Sequence, residues 1–282
     1  MKTTNRLGLP SQFMVAARRD SHPLEPRRYY ATELLKPTRA ILIRREHDDE
    51  LEEDVSDMIP AMFGSAFHRF MEENTETGEA EFKVEAEFGE DTVSGTIDLW
   101  DRENGEIWDY KTCSVSKVMK ADFEDWRLQG LTYASLIWKT QSKVVKKLKF
   151  FAIMKDWSKV KAAAGGNYPQ SAVYVWEYEI SESDYDFVDG WIRSRLWAIN
   201  EHIGSGTYPA CSMEDSWYTG DKYAVYRKVT DKRAMAVCDS MDEAEAVNAE
   251  KCGGEGHIEI RFGEKLRCKH YCDCRKWCAE RR

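Results

Sequence analysis

Val93-Ser94-Gly95-Thr96-Ile97-Asp98-Leu99-Trp100, the turn Asp101-Arg102-Glu103-Asn104-Gly105-Glu106, and Ile107-Trp108-Asp109-Tyr110-Lys111 form the stretch on which the reading of this chain turns. An Asn-Gly pair between two β-patterned runs is a hairpin signal, because both residues accept the positive φ that a tight turn demands. The runs are therefore expected as adjacent antiparallel strands carrying Asp98 and Asp109. Side chains two apart on a strand share a face, so Asp109 and Lys111 point into one cleft. Facing carboxylates repel unless a cation or a proton intervenes, and their oxygens suit hard divalent ions. An adjacent lysine can polarise a water or neutralise charge growing on a phosphate.

Working outward, Phe63, Phe67, Phe70 and Met71 recur at helical spacing over 63–73, on a helix that also carries His68. After Gly78 the period drops to two: Phe82, Val84, Ala86 and Phe88 alternate with charged residues, as a half-buried strand requires. Downstream, a helix over 122–139 is expected to bury Trp126, Leu128, Leu131, Tyr133, Ala134 and Leu136, and Gln129 and Tyr133, four apart, share one face of it. The apolar run 148–154 suits a central strand, 173–178 another, and Ser181 caps a long helix reaching 202 before Gly204. Residues 30–35 open a short helix with Thr32 as its cap, and the acidic run 46–53 reads as an exposed loop. Glu72, Glu85 and Glu87 read as a solvated face.

The order Gly64-x-x-x-His68, Gly95-x-Ile97-Asp98, Asp109-Tyr110-Lys111 and Gln129-x-x-x-Tyr133 resembles the PD-(D/E)XK nuclease superfamily, specifically its RecB-like branch, over residues 30–202. The resemblance implies an α/β fold with a restriction-endonuclease-like central mixed sheet flanked by helices. It also implies a Mg²⁺ or Mn²⁺ site held by His68, Asp98, Asp109 and the backbone carbonyl of Tyr110. Asp98, Asp109 and Lys111 would carry catalysis, with Gln129 and Tyr133 orienting the lysine and the DNA.

Hydrophobic content of 42% and 12% aromatics fit a packed core. No apolar run approaches the ~18 residues of a membrane span, and the N-terminus has no apolar export segment, so no membrane association and a cytoplasmic location are expected. A net charge of −9 argues against a polycationic nucleic-acid coat. The lysine-rich stretch 143–161 and the terminal Arg275, Lys276, Arg281 and Arg282 are basic locally, as a solvated face or as part of a groove. No Gly-rich phosphate loop is present, so the sequence encodes no ATP-driven translocation.

Three segments are expected: an N-terminal arm over 1–28, a nuclease core over 29–204, and a small Cys-rich α+β appendage over 205–282. Four of the eight cysteines, Cys268, Cys272, Cys274 and Cys278, crowd the last fifteen residues, which in a reducing compartment points to metal or iron–sulfur ligation. Several RecB-like nucleases hold a 4Fe–4S cluster with three tail cysteines and a distant one. The resemblance thus implies Cys268, Cys272 and Cys278 with Cys211 as the remote ligand and Cys274 as a bystander. Cys211 follows the core where the relatives' lone cysteine precedes it. Zn²⁺, with His257 or His270 available, and free buried thiols stand as rivals. Cys113 reads as core packing, and Cys238 and Cys252 have no assignment.

The function expected is a divalent-metal-dependent DNA exonuclease of phage or bacterial recombination or DNA processing, acting on DNA that is single-stranded or has free ends. A recombination or single-strand-annealing protein is the partner class implied. A structure-selective endonuclease and a non-catalytic nucleic-acid-binding module on the same fold are the alternatives.

Overall fold

The computed structural model describes residues 2–19 and 24–281. The chain divides into two units, Met1–Thr207 and Tyr208–Arg282. The first unit opens with β1 (Lys2–Thr4), α1 (Ser11–Arg19), β2 (Arg28–Tyr30), α2 (Ala31–Leu34), α3 (Thr38–Glu46), β3 (Glu52–Asp54) and α4 (Val55–Glu73). Much of the segment expected as a loose arm is instead structured among the described residues: β1 pairs in parallel with β3, and α1 packs on α4. The buried Asp54 carboxylate ties the segment down, accepting hydrogen bonds from Thr4 Oγ1 and the Arg6 backbone, each at 2.8 Å. A pairing between three-residue strands fifty residues apart leaves no local periodicity to read. It also turns the end of the acidic run into β3. Asp54 then caps α4 by accepting from Ser56 N at 3.1 Å, so the helix begins eight residues before the expected start and runs through Pro60.

The sheet follows with β4 (Glu79–Phe88), β5 (Asp91–Asp101), β6 (Glu106–Cys113), α5 (Val115–Lys120), α6 (Glu124–Gln141), β7 (Lys147–Met154), α7 (Lys159–Ala163), β8 (Val173–Glu179) and α8 (Glu182–His202). Its strands run β2-β5-β6-β7-β8, with β4 antiparallel along β5. β6 and β7 are parallel and β7 and β8 antiparallel, which makes the sheet mixed, as expected. β5 pairs with β6 only at Leu99–Trp108, Trp100–Ile107 and Asp101–Glu106, and beyond that it parallels β2 over 92–94. The two strands therefore part after Leu99 and Trp108, and Asp98 and Asp109 are the first residues past the fork.

A parallel pair needs a crossover, and α5 and α6 supply it. α6 is buried nearly all round, between the sheet and α8. It approaches β7 at Gly130, where a Cβ would come within 2.5 Å of Leu148 Cδ1. Ile97, Trp100, Ile107, Leu131, Leu136, Ile137, Leu148 and Phe150 are almost wholly buried and form the core beside the fork. Truncating Leu148 to alanine there would cost about 2–5 kcal/mol.

The second unit is the expected small α+β element. β9 (Lys222–Tyr226), β10 (Ala236–Cys238), α9 (Met241–Cys252) and β11 (His257–Arg261) form an antiparallel sheet of order β10-β9-β11 with the helix against it. Val225, Cys238 and Ala244 are its buried centre, which gives Cys238 a packing role. β11, unanticipated because only Ile258 and Ile260 are apolar in it, closes the sheet on β9. Three short helical turns, Arg267–Tyr271, Asp273–Lys276 and Ala279–Arg281, carry the tail cysteines. The division at residue 207 falls three residues past the expected boundary.

Candidate active site

The fork between β5 and β6 determines the site. Because the strands separate there, Tyr110 N is released from the ladder and donates to Asp98 Oδ2 at 2.5 Å. The other Asp98 oxygen faces α4, where His68 Nδ1 lies 3.0 Å from Oδ1. On the strand, Lys111 Nζ stands 2.6 Å from Asp109 Oδ2. Gln129 on α6 joins these groups: its Oε1 accepts from Lys111 Nζ at 2.8 Å, and its Nε2 donates to Asp109 Oδ1 and Tyr133 Oη, each at 3.0 Å. Of the expected helical pair, Gln129 touches Lys111 directly and Tyr133 touches Gln129. Gly95 makes room for the tyrosine, since a Cβ there would lie 2.4 Å from Tyr133 Cε1.

The sequence reading missed Glu81. It precedes Phe82 at the start of the alternating run and has no assignment there. Its backbone takes φ 48°, a left-handed conformation inside a strand, and its side chain is half-buried beside the site. A His68 ring nitrogen, a Glu81 oxygen and an Asp98 oxygen all lie within 4.8 Å of one another. The signal available was register: the tight Gly89-Glu90 turn sets Glu81 opposite Asp98. Glu85 and Glu87 are exposed, as expected, and Glu85 pairs with Arg28.

The ionisations follow from this crowding. Burial, with Asp98 nearby and only partly countered by Lys111, pushes Asp109 up to about 6. Burial and then the Asp98 and Glu72 charges raise Glu81. Burial opposes charging of His68, but the hydrogen bond and charge of Asp98 outweigh it and leave the imidazole raised above its ordinary 6.5. Burial pushes Tyr110 up to about 12 and raises Tyr133 as well, so both stay protonated at neutral pH.

A sequence profile of the PD-(D/E)XK nuclease superfamily matches residues 20–279. The chain belongs to the PD-(D/E)XK nuclease superfamily. Among solved structures, the chain is similar to SSO0001 at 16% identity and a TM-score of 0.47, covering 68% of this chain and 88% of that one. It is similar to a candidate exonuclease from Eubacterium rectale at 11% identity and a TM-score of 0.33, covering 52% and 56%. It is also similar to a phage-related exonuclease from Haemophilus somnus at 8% identity and a TM-score of 0.33, covering 70% and 82%. No curated protein matches the chain in sequence.

PD-(D/E)XK nucleases use divalent metals, and the donor set at the fork fits one. Neighbouring octahedral ligands at about 2.1 Å from an ion stand about 3 Å apart, and His68 Nδ1 and Asp98 Oδ1 are 3.0 Å apart. Asp109 Oδ2 is buried without a hydrogen bond, its contact to Lys111 being an ion pair off the hydrogen-bonding angle. Of the four ligands expected, His68 and Asp98 stand together with Glu81. Asp109 is turned toward Lys111 and Gln129, and Tyr110 meets Asp98 through its backbone N–H. A nuclease fold implies a nucleic-acid substrate, and among the described residues no helix is long and apolar enough to cross a membrane.

In the tail of this PD-(D/E)XK chain, the Sγ atoms of Cys272 and Cys274 and an Asp273 oxygen lie within 4.8 Å of one another. A hydrogen bond from the buried Cys274 holds the Cys272 thiol down to about 6. Burial raises Cys268, and the Cys272 and Cys278 charges raise it further. Cys274, expected as a bystander, thus clusters with Cys272, while Cys211 is half-buried in the same unit. A thiolate at neutral pH is the form that zinc or an iron–sulfur cluster binds. Cys113 is buried, in keeping with core packing.

Proposed function

We propose that this protein is a divalent-metal-dependent DNA exonuclease of recombination or DNA processing. The observation that carries the proposal is the fork, where His68, Glu81 and Asp98 converge and the Asp109–Lys111 pair stands alongside. His68, Asp98, Asp109 and the Tyr110 carbonyl would hold Mg²⁺ or Mn²⁺, with Glu81 as a further carboxylate. Bound there, the ion would lower the pKa of a coordinated water and stabilise negative charge on the phosphate.

The chain's own groups do the rest. Lys111, its ammonium aimed by Asp109 and Gln129, donates to the attacking water and to the phosphate oxygens. Gln129 fixes both members of that pair, and Tyr133 fixes Gln129. No side chain at the fork need act as a nucleophile. The motif order shared with RecB-like nucleases supports the exonuclease reading. In the second unit, the Cys272 and Cys274 thiols beside Asp273 support a bound metal, read as a 4Fe–4S cluster on Cys268, Cys272, Cys278 and Cys211.

End-labelled single- and double-stranded DNA, linear and covalently closed, tested with Mg²⁺, Mn²⁺ or EDTA, decides the matter. Metal-dependent loss of linear but not closed DNA is expected, and its abolition in Asp109→Ala and Lys111→Ala. Cleavage of closed circles would make the enzyme an endonuclease. Degradation unchanged in both variants would remove the active-site assignment.

A further inference from the structure

A cavity of about 390 Å³ opens on the same sheet face as Lys111, lined by Asp122, Phe123, Glu124, Arg127, Tyr174 and Trp176. That is the lower end of the range for small-molecule sites. The ladder ties it to the fork. Asp109 pairs with Phe150 and Phe150 with Trp176, so these three form one row across β6, β7 and β8. Lys111, Ala152 and Tyr174 form the next row. Two strand spacings amount to about 10 Å, so the cavity floor lies near enough to Lys111 to receive a base of a strand bound there. The rows are also physically joined: Lys111 Nζ lies 6.0 Å from the Phe150 ring centre, and Phe150 packs on Trp126 and Trp176 at 5.5 Å each.

The lining selects the occupant. Phe123 stacks on Tyr174 at 5.6 Å and lies 5.3 Å from Trp176, while Tyr174 and Trp176 stay half-exposed, so aromatic surface lines the opening. The one cation in the lining is already engaged. Arg127 donates to both Glu124 oxygens at 2.8 Å and to Asp184 at 3.2 Å. Asp122 is exposed and makes no side-chain hydrogen bond or ion pair among the described residues. A phosphate would meet uncompensated negative charge here. A planar ring that offers amino hydrogens would find aromatic faces and a carboxylate acceptor.

We propose that this cavity seats an unstacked nucleobase of the strand held at the Asp109–Lys111 pair, favouring bases that carry an amino group. The inference rests on the DNA-cleaving reading and adds a base subsite to it. Trp176 and Tyr174 provide the stacking surface, and Asp122 accepts from the amino group that cytosine has and thymine lacks.

Fluorescence anisotropy with labelled single-stranded oligomers of dC and of dT, in Ca²⁺, tests it on the full chain. Wild type should bind dC several-fold more tightly than dT. Trp176→Ala should weaken both about tenfold, with Trp176→Phe recovering most of the loss. Asp122→Ala, an exposed change that spares the aromatic core, should remove the dC preference and leave dT affinity unchanged. Equal affinity of wild type and Trp176→Ala for both oligomers would overturn the subsite. So would a dC preference that survives Asp122→Ala. Cleavage of the same oligomers by wild type in Mg²⁺ is scored in parallel: wild type that cleaves without these binding differences fails the subsite alone. Wild type that neither binds nor cleaves them fails the underlying reading and the subsite with it.

Discussion

Glu81 stands across from Asp98 in the β4–β5 ladder, between the Ala80–Leu99 and Phe82–Ile97 pairs, and it alone on β4 has a left-handed backbone. A non-glycine residue held at positive φ costs about 1–2 kcal/mol. Burial, and then the Asp98 and Glu72 charges, also raise the pKa of its carboxylate. Strain and like-charge repulsion together make Glu81 costly to stability, and its place beside Asp98 makes it a candidate member of the site.

Glu81→Asn should therefore separate the two. Asparagine tolerates the left-handed region and carries no charge. In EDTA the variant should be more stable by about 1 kcal/mol, which is a rise of about 2–4 °C in Tm for a protein of this size. Its metal-dependent cleavage should fall by at least tenfold. A variant that is less stable and fully active would show that Glu81 has no part in the site.

The raised Asp109 and His68 set a pH dependence with a definite sign. Each folded-state value lies above the ordinary one, so each contributes stability at low pH that is lost on raising the pH. For Asp109 the loss runs from about pH 4 through about 6, and for His68 it begins above 6.5. Metal-free protein should lose Tm across that range, and Asp109→Asn should flatten the acidic half of the curve. Divalent ions need the deprotonated ligands, so Mg²⁺ or Mn²⁺ should raise Tm far more at pH 8 than at pH 5, with cleavage rising alongside. A metal-induced Tm shift that is flat with pH would contradict this ligand set.

Gly95 and Tyr133 form a steric couple. A methyl group at position 95 would press on the Tyr133 ring, which anchors Gln129 and through it Lys111. Gly95→Ala should destabilise the fold by about 1–3 kcal/mol and lower kcat more than it changes metal affinity. Combining it with Tyr133→Leu should cost less stability than the sum of the single changes, because the clash is then absent. Strict additivity by denaturant unfolding would show that the two do not touch.

How far the sequence carries this picture depends on whether the signal is local. Asn104-Gly105 marked the hairpin, i and i+2 parity put Asp109 and Lys111 in one cleft, and i and i+4 spacing aligned Gln129 with Tyr133. All three are nearest-neighbour geometry. Glu81 escaped because only the β4–β5 register, which the turn sets, brings it opposite Asp98. β1 and β3 escaped because each is three residues long and stabilised only by the other. The Cys272–Cys274 contact escaped because spacing shows which cysteines are close in sequence, and the turn Asp273–Lys276 decides which sulfurs meet.

That contact makes a last prediction. Cys274 is nearly inaccessible, and its hydrogen bond holds the Cys272 thiol down to about 6. In metal-free protein at pH 7, Cys272 should therefore be mostly thiolate and react with iodoacetamide ahead of Cys268, whose thiol is raised. Cys274→Ala removes the donor and should slow alkylation of Cys272 by about tenfold or more, since only a few per cent of an ordinary thiol is ionised at pH 7. Peptide mass spectrometry reads the rates residue by residue. Loading the protein with zinc or reconstituting it with iron and sulfide should protect Cys272 if that thiolate is a ligand. Equal labelling of Cys272 with and without bound metal would take it out of the ligand set.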